Sequence, residues 1–233
     1  DRDANFEVLQ ELITNNQIIA PLKDRFDFDK GFFRDDFISL LYAMGFVTMV
    51  GQKITYTIFA IPNYVIKHLY FNYFQVELER KNSLKFNDMS LKDAIFDLAL
   101  KGDVKPFETE LREVLQVLSN RDLLNYHEKH FQTLVLTLLN ITDFYFIQSE
   151  GEYNKKYIDI MLLERNPFEV DFQYLFELKW AKKKDNDYED KKKEGIVQIK
   201  GYLQLPAIKS LKNLQSYLII SNGEKLEIVE VLN

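Results

Sequence analysis

The segment Tyr174-Leu175-Phe176-Glu177-Leu178-Lys179-Trp180 carries two opposite charges in an otherwise apolar run. Alternate residues of a strand share a face, so Glu177 and Lys179 project together. Charges inside a buried strand are costly unless they pair or hold a ligand. Eighteen residues before Glu177, Tyr157-Ile158-Asp159-Ile160-Met161 sets another carboxylate in the middle of an apolar strand. If these strands are neighbours, Asp159 and Glu177 converge, and adjacent carboxylates repel unless a cation neutralises them. A hard divalent ion with oxygen ligands, Mg²⁺ by preference, meets that need. An internal ion pair, Asp159–Lys179 or Glu177–Lys179, accounts for the bare spacing as well.

Two further features bear on the choice. A helix expected at about 122–140 has Leu124, Phe131, Val135 and Leu138 as its apolar stripe, and Glu128 lies on that stripe. A third carboxylate is therefore expected to face inward. Gln198 and Tyr202, four residues apart, share one face of the helix that follows the charged strand. His127 and His130 form the one histidine cluster, but without a third ligand nearby they fit surface or capping roles. No GxxxxGK[ST], GxGxxG or HExxH motif occurs, and no cysteine. Disulfides, thiolate zinc sites, iron–sulfur clusters and cysteine nucleophiles are excluded, and a reducing compartment is allowed.

These residues sit in a chain of 233 that is 46% hydrophobic and 28% charged, a composition able to bury a core. With 14% aromatics, 8 Gly and 5 Pro it is not collagen-like, linker-rich or largely disordered. Net charge is −6, which excludes a wholly basic nucleic-acid coat but not a local basic patch. Residues 1–118 hold 14 basic and 18 acidic side chains, and residues 119–233 hold 16 and 18. Lys182-Lys183-Lys184 and Lys191-Lys192-Lys193 lie in the second part, as a solvated loop or as a patch for a phosphate backbone. Apolar runs such as Phe37–Val50 are interrupted and too short to span a bilayer, and no signal peptide opens the chain. A cytoplasmic location is expected. The chain begins at Asp1, as a piece of something longer would.

The elements that must position these groups follow from periodicity. Helices are expected at 5–15, after Arg34 up to Gly45, at 63–80, 91–101 and 106–118. Phe46–Val50 and Ile54–Phe59 read as a hairpin turning at Gly51-Gln52, so the first part resembles a winged-helix unit. After the helix at 122–140 come strands Phe144–Ser149, Tyr157–Leu163 and Gln173–Trp180. A polar insert at 181–194 leads to a helix at about 194–206. Strands Gln215–Ser221 and Lys225–Leu232 then flank Asn222-Gly223, a strong hairpin signal. This α-β-β-β-α-β-β order predicts an α/β (α+β) domain, a mixed sheet flanked by helices.

Glu128, Asp159, Glu177-Leu178-Lys179 and Gln198-x-x-x-Tyr202 together resemble the PD-(D/E)XK nuclease superfamily in its QxxxY branch, whose αβββαβ core the element order matches. The whole chain is similar to the C-terminal portion of bacterial predicted AAA-ATPase proteins that end in such a nuclease-like domain. Ser39–Thr48 and Ile61–Val65 are similar to the segment joining their ATPase and nuclease parts, and Ser149-Glu150 and Ile158-Asp159-Ile160 to the strands before ExK. Lys156 and Tyr157 stand where that family often has Gly-Arg, with Lys155 or Lys156 as replacement cation.

The resemblance implies a restriction-endonuclease-like domain at 119–233, preceded by a helical, winged-helix-like region at 1–118 that leads from an upstream ATPase. It implies hydrolysis of DNA by Mg²⁺ or Mn²⁺ held on Asp159 and Glu177, with the Leu178 carbonyl and Glu128 completing the shell. Lys179 would act on the attacking water and transition state, with Gln198 and Tyr202 holding Lys179 and the phosphate. Lys182, Lys183, Lys184, Lys191, Lys192 and Lys193 would track the DNA backbone. A catalytically silent DNA- or protein-binding module of the same ATPase is the alternative.

Overall fold

The computed structural model describes residues 2–26, 31–82, 88–118, 127–153, 156–182 and 187–232. They form two compact units, Asp1–Tyr73 and Phe74–Asn233. The first contains α1 (Arg2–Asn15), β1 (Gln17–Ala20), α2 (Arg34–Ala43), β2 (Thr48–Lys53) and β3 (Tyr56–Ala60), and α3 (Tyr64–Asn82) begins in it. Its antiparallel sheet has the order β1-β3-β2. Leu12, Ile13, Ile18, Ile38 and Phe59 are fully buried and form its core. The short strand β1 went unanticipated because four residues carry too little alternation to separate from a helix end. The hairpin turns at Ile54, whose φ is +59°, rather than at Gly51-Gln52. Gly51 lies inside β2, where the register slips between Met49 and Gly51, a place where a missing side chain eases the irregularity.

The second unit carries α4 (Asp88–Lys101), α5 (Lys105–Val117), α6 (Glu128–Leu139), β4 (Tyr145–Tyr153), β5 (Lys156–Glu164) and β6 (Gln173–Trp180). It continues with α7 (Tyr188–Tyr202), α8 (Pro206–Lys209), β7 (Leu214–Ser221) and β8 (Leu226–Glu230). The sheet order is β4-β5-β6-β7-β8, with β6 and β7 parallel and the other neighbours antiparallel. This five-stranded mixed sheet with its helices is the α/β, restriction-endonuclease-like architecture expected. All eight residues of β6 are buried. Phe131 of α6 packs on Trp180 with ring centroids 5.4 Å apart, and Tyr174 stacks on Phe176. Among the described residues, no helix is long and apolar enough to cross a membrane.

Several boundaries differ from expectation for physical reasons. Helices α4 and α5 belong with the sheet: the Tyr174 hydroxyl donates to the Leu98 carbonyl at 2.8 Å, and Arg112 donates to the Leu226 carbonyl at 3.0 Å. Compactness therefore divides the chain after Tyr73, whereas the expected division fell after 118. Helix α6 starts after His127, and Leu124 lies outside the described residues. Helix α7 begins at Tyr188, so Lys191–Lys193 occupy its first turns rather than an insert. Their run of like charge erased the apolar period that would have betrayed a helix. It stops before 206 because Pro206 holds the preceding Leu205 extended (ψ 133°) and opens α8 instead.

Helix α7 is the crossover between the parallel strands β6 and β7, and it lies unusually close to the sheet. A β-carbon on Gly195 would fall 2.4 Å from Leu218 Cδ1, and Leu218 is fully buried. Gly195→Ala gains up to about 1 kcal/mol of helix propensity. Overpacking against Leu218 should cost about 1–3 kcal/mol and win. Urea unfolding should show a net loss of stability. An unchanged or higher midpoint would mean that Leu218 moves aside without strain.

Candidate active site

Strand β6 lies beside β5 in the register Ile160↔Phe176 and Met161↔Leu175, and the next step sets Asp159 opposite Glu177. Cross-strand partners share a face, so both carboxyls lie on one side of the sheet. The ladder ends there. The Leu178 N–H donates to Asp159 Oδ2 at 2.7 Å, a side-chain acceptor in place of a backbone one. Lys179 Nζ donates to Glu177 Oε1 at 3.0 Å. Glu177 is 2% and Lys179 6% exposed, so this pair is withdrawn from water.

One ammonium faces more negative charge than it can balance. Burial and the neighbouring Glu177 raise the Asp159 carboxyl well above its ordinary range, against the pull of the Leu178 N–H and Lys179. Burial also pushes Glu177 up, to about 7, although Lys179 opposes it. Burial alone would lower Lys179, but Glu177, Glu128 and Asp159 together raise it, so the ammonium stays charged. A simple ion pair would lower its carboxylate, and Glu177 goes the other way because burial and like charge outweigh one lysine. The second oxygen of Glu177, Oε2, is buried without a hydrogen-bond donor among the described residues.

Helices bring the remaining groups. Glu128, in the first turn of α6, is half-buried, and its charge is felt at Asp159, Glu177 and Lys179. Among the described residues, however, no three His, Asp or Glu side chains stand close enough to enclose an ion. Tyr202 donates its hydroxyl proton to the Tyr157 carbonyl at 2.9 Å, and the hydroxyl also lies close enough to Glu177 to pull its carboxyl down against the effect of burial. Burial and the fields of Glu177 and Asp159 raise its phenol, so it remains a donor. Gln198, one turn earlier, has a buried Oε1 without a donor among the described residues. His127 and His130 sit together at the start of α6, ring centroids 3.9 Å apart.

The lysines divide. Lys191 Nζ donates to the Trp180 carbonyl at 2.8 Å, and Lys192 pairs with Glu227 of β8, so both are committed within the fold. Lys193 is exposed, 3.7 Å from Asp190, and Lys182 is exposed. Lys183 and Lys184 lie outside the described residues. Lys156 is exposed at the start of β5, its ammonium lying against Gly201 of α7. Sequence reasoning gave no role to two groups beside the site. Gln132, one turn beyond Glu128, and Glu150, opposite Asp159 on β4, come together with Gln132 Nε2 3.4 Å from Glu150 Oε1. A polar residue on the apolar stripe of α6 was the available signal for Gln132.

Acceptor-only oxygens in excess, one of them buried and without a donor, suit a hard cation that takes one or two carboxylates and keeps some of its waters. Residues 126–231 match the model of the PD-(D/E)XK nuclease superfamily. That match runs from just before α6 to the end of β8 and takes in the whole five-stranded sheet. No curated protein matches the chain.

The raised carboxyls give a signed dependence of stability on pH. Groups whose folded pKa exceeds the unfolded value bind more protons when folded, so stability falls as pH rises between the two. For Glu177 that window runs from 4.5 to about 7. Metal-free protein should therefore melt lower at about pH 7.5 than at about pH 5.5, and Asp159→Asn should flatten the decline. A melting temperature that rises across this window in the parent would contradict the charge excess.

Proposed function

We propose that residues 119–233 are a nuclease domain that hydrolyses phosphodiester bonds of DNA with Mg²⁺ or Mn²⁺. In this reading residues 1–118 join it to an AAA-ATPase domain of a longer, bacterial, cytoplasmic protein, beginning as a winged-helix-like region and ending in α4 and α5, which pack with the sheet, and the domain is of the QxxxY branch. The observation that carries the reading is Glu177, 2% exposed, with one oxygen on Lys179 and the other without a donor among the described residues, opposite Asp159. Asp159 and Glu177 would hold the ion, with the Leu178 carbonyl beside them and Glu128 acting through its charge, and the ion would supply water activation and offset charge on the phosphate.

The chain's own residues do the rest. Lys179, kept charged by the carboxylates about it, orients the attacking water and meets the negative charge that grows on the phosphoryl oxygens. Tyr202 fixes the carbonyl of Tyr157, two residues before Asp159, and so steadies the strand that presents that carboxylate. Gln198 offers its amide oxygen to Lys179 or its amide N–H to the scissile phosphate. Lys182, Lys183, Lys184 and Lys193 follow the DNA backbone, and Lys191 and Lys192 support them by anchoring α7. The second reading, a silent DNA- or protein-binding module, draws on the closed Lys179–Glu177 pair at 3.0 Å, which also forms where no chemistry occurs.

Lys179→Met separates the two. Without metal it should lose about 3 kcal/mol or more, because buried carboxylates remain uncompensated. With Mg²⁺ the nuclease reading expects most of that stability back, together with plasmid cleavage slowed by about a hundredfold. Asp159→Asn should abolish metal-dependent nicking. Parental cleavage by Lys179→Met, or a parent that nicks no DNA with Mg²⁺ or Mn²⁺, favours the binding module.

A further inference from the structure

Gln132 is 4% exposed on a helix face otherwise made of Phe131, Val135 and Leu138, where leucine would pack without a polar group to satisfy. Its amide nitrogen lies 3.4 Å from two acceptors, Glu150 Oε1 and the main-chain carbonyl of Asp159. An amide has two protons, so one Gln132 serves both. The acceptors lie in one row of the sheet. The ladder runs Ser149↔Ile160 and Gly151↔Ile158, which sets Glu150 across from Asp159. Glu150 holds a left-handed φ of +49°, a conformation that a residue with a side chain rarely keeps unless its surroundings impose it.

We propose that Gln132 and Glu150 are a positioning pair that fixes the backbone of Asp159 so that its carboxylate meets the cation. This rests on the nuclease-type metal site argued above. Asp159 then has tethers on several sides. The Leu178 N–H holds its carboxylate, Tyr202 holds the carbonyl two residues earlier, and Gln132 holds its own carbonyl. Gln132 also ties the helix that bears Glu128 to the strand that bears Asp159, which sets the spacing of those carboxylates. Glu150 accepts from Gln132 and in this way aims the amide. It acts through a hydrogen bond, and its charge is not required.

Calorimetric titration of the full chain with Mn²⁺ tests this without reference to cleavage, beside thermal melts of the metal-free proteins. Gln132→Met and Glu150→Leu should each weaken Mn²⁺ binding by about tenfold or more, the usual effect of losing a group that orients a ligand. Glu150→Gln keeps an oxygen for Gln132 and should stay within about twofold of the parent. Parental affinity in Gln132→Met or Glu150→Leu overturns the proposal. So does an equal loss in Glu150→Gln and Glu150→Leu, which would make the Glu150 charge the active feature, and so does a parent that takes up no Mn²⁺. If Gln132→Met does not fold, the two Glu150 variants decide. A parent that binds Mn²⁺ yet leaves plasmid intact removes the nuclease reading and leaves the positioning pair in place.

Discussion

Asp159 and Glu177 stand opposite each other on a sheet whose middle strand is wholly buried, with the Lys179 ammonium bonded to Glu177. That excess of negative charge is the constraint around which the second unit is arranged. Water cannot screen it, and the lysine cannot balance it, so both carboxyls are pushed toward the protonated form. The local structure bends to accommodate the charge. The β5–β6 ladder ends at Asp159, and the Leu178 N–H turns to its carboxylate. A fold gains little from such an arrangement for stability alone, since apolar residues of similar volume commonly do as well.

Helix α7 connects that charge to the rest of the fold. Parallel β6 and β7 require a crossover, and this crossover carries Gln198 and Tyr202 on the face toward the sheet. The approach is close enough that Gly195 has no room for a side chain. Lys191 on the Trp180 carbonyl and Lys192 on Glu227 hold the first turns, and Tyr202 on the Tyr157 carbonyl holds the last. The helix is thereby fixed at both ends, with Gln198 between them. Lysines that look like a patch for phosphate serve in part to seat the helix that lines the site.

Much of this was legible in the residue pattern. Alternation exposed β5 and β6 because both cross the sheet centre, where a charge in an apolar run is conspicuous: Asp159, Glu177 and Lys179 all showed themselves in that way. The i, i+4 spacing gave Gln198 and Tyr202 a common face, and Asn222-Gly223 marked the last hairpin, where Asn222 Oδ1 accepts from the Lys225 N–H at 2.8 Å. Less visible were the start of α7, hidden by a run of like charge, and the strand β1, too short to have a period.

By itself the sequence determined the order of the longer elements, the fold class and the residues of the charged strands, because these depend on periods of two and of 3.6 that need no partner. Three things were decided only by the tertiary structure. Helices α4 and α5 joined the sheet through acceptors such as the Leu98 carbonyl, a contact between residues 76 positions apart. Lys191 and Lys192 were drawn to acceptors inside the fold, leaving the exposed Lys182 and Lys193 facing solvent. Gln132 and Glu150 met beside Asp159 across three separate elements. Local periodicity says which way a side chain faces along its own element. Which groups meet is set when faces pack, because electrostatic and hydrogen-bond partners are chosen by distance in space and not by separation along the chain.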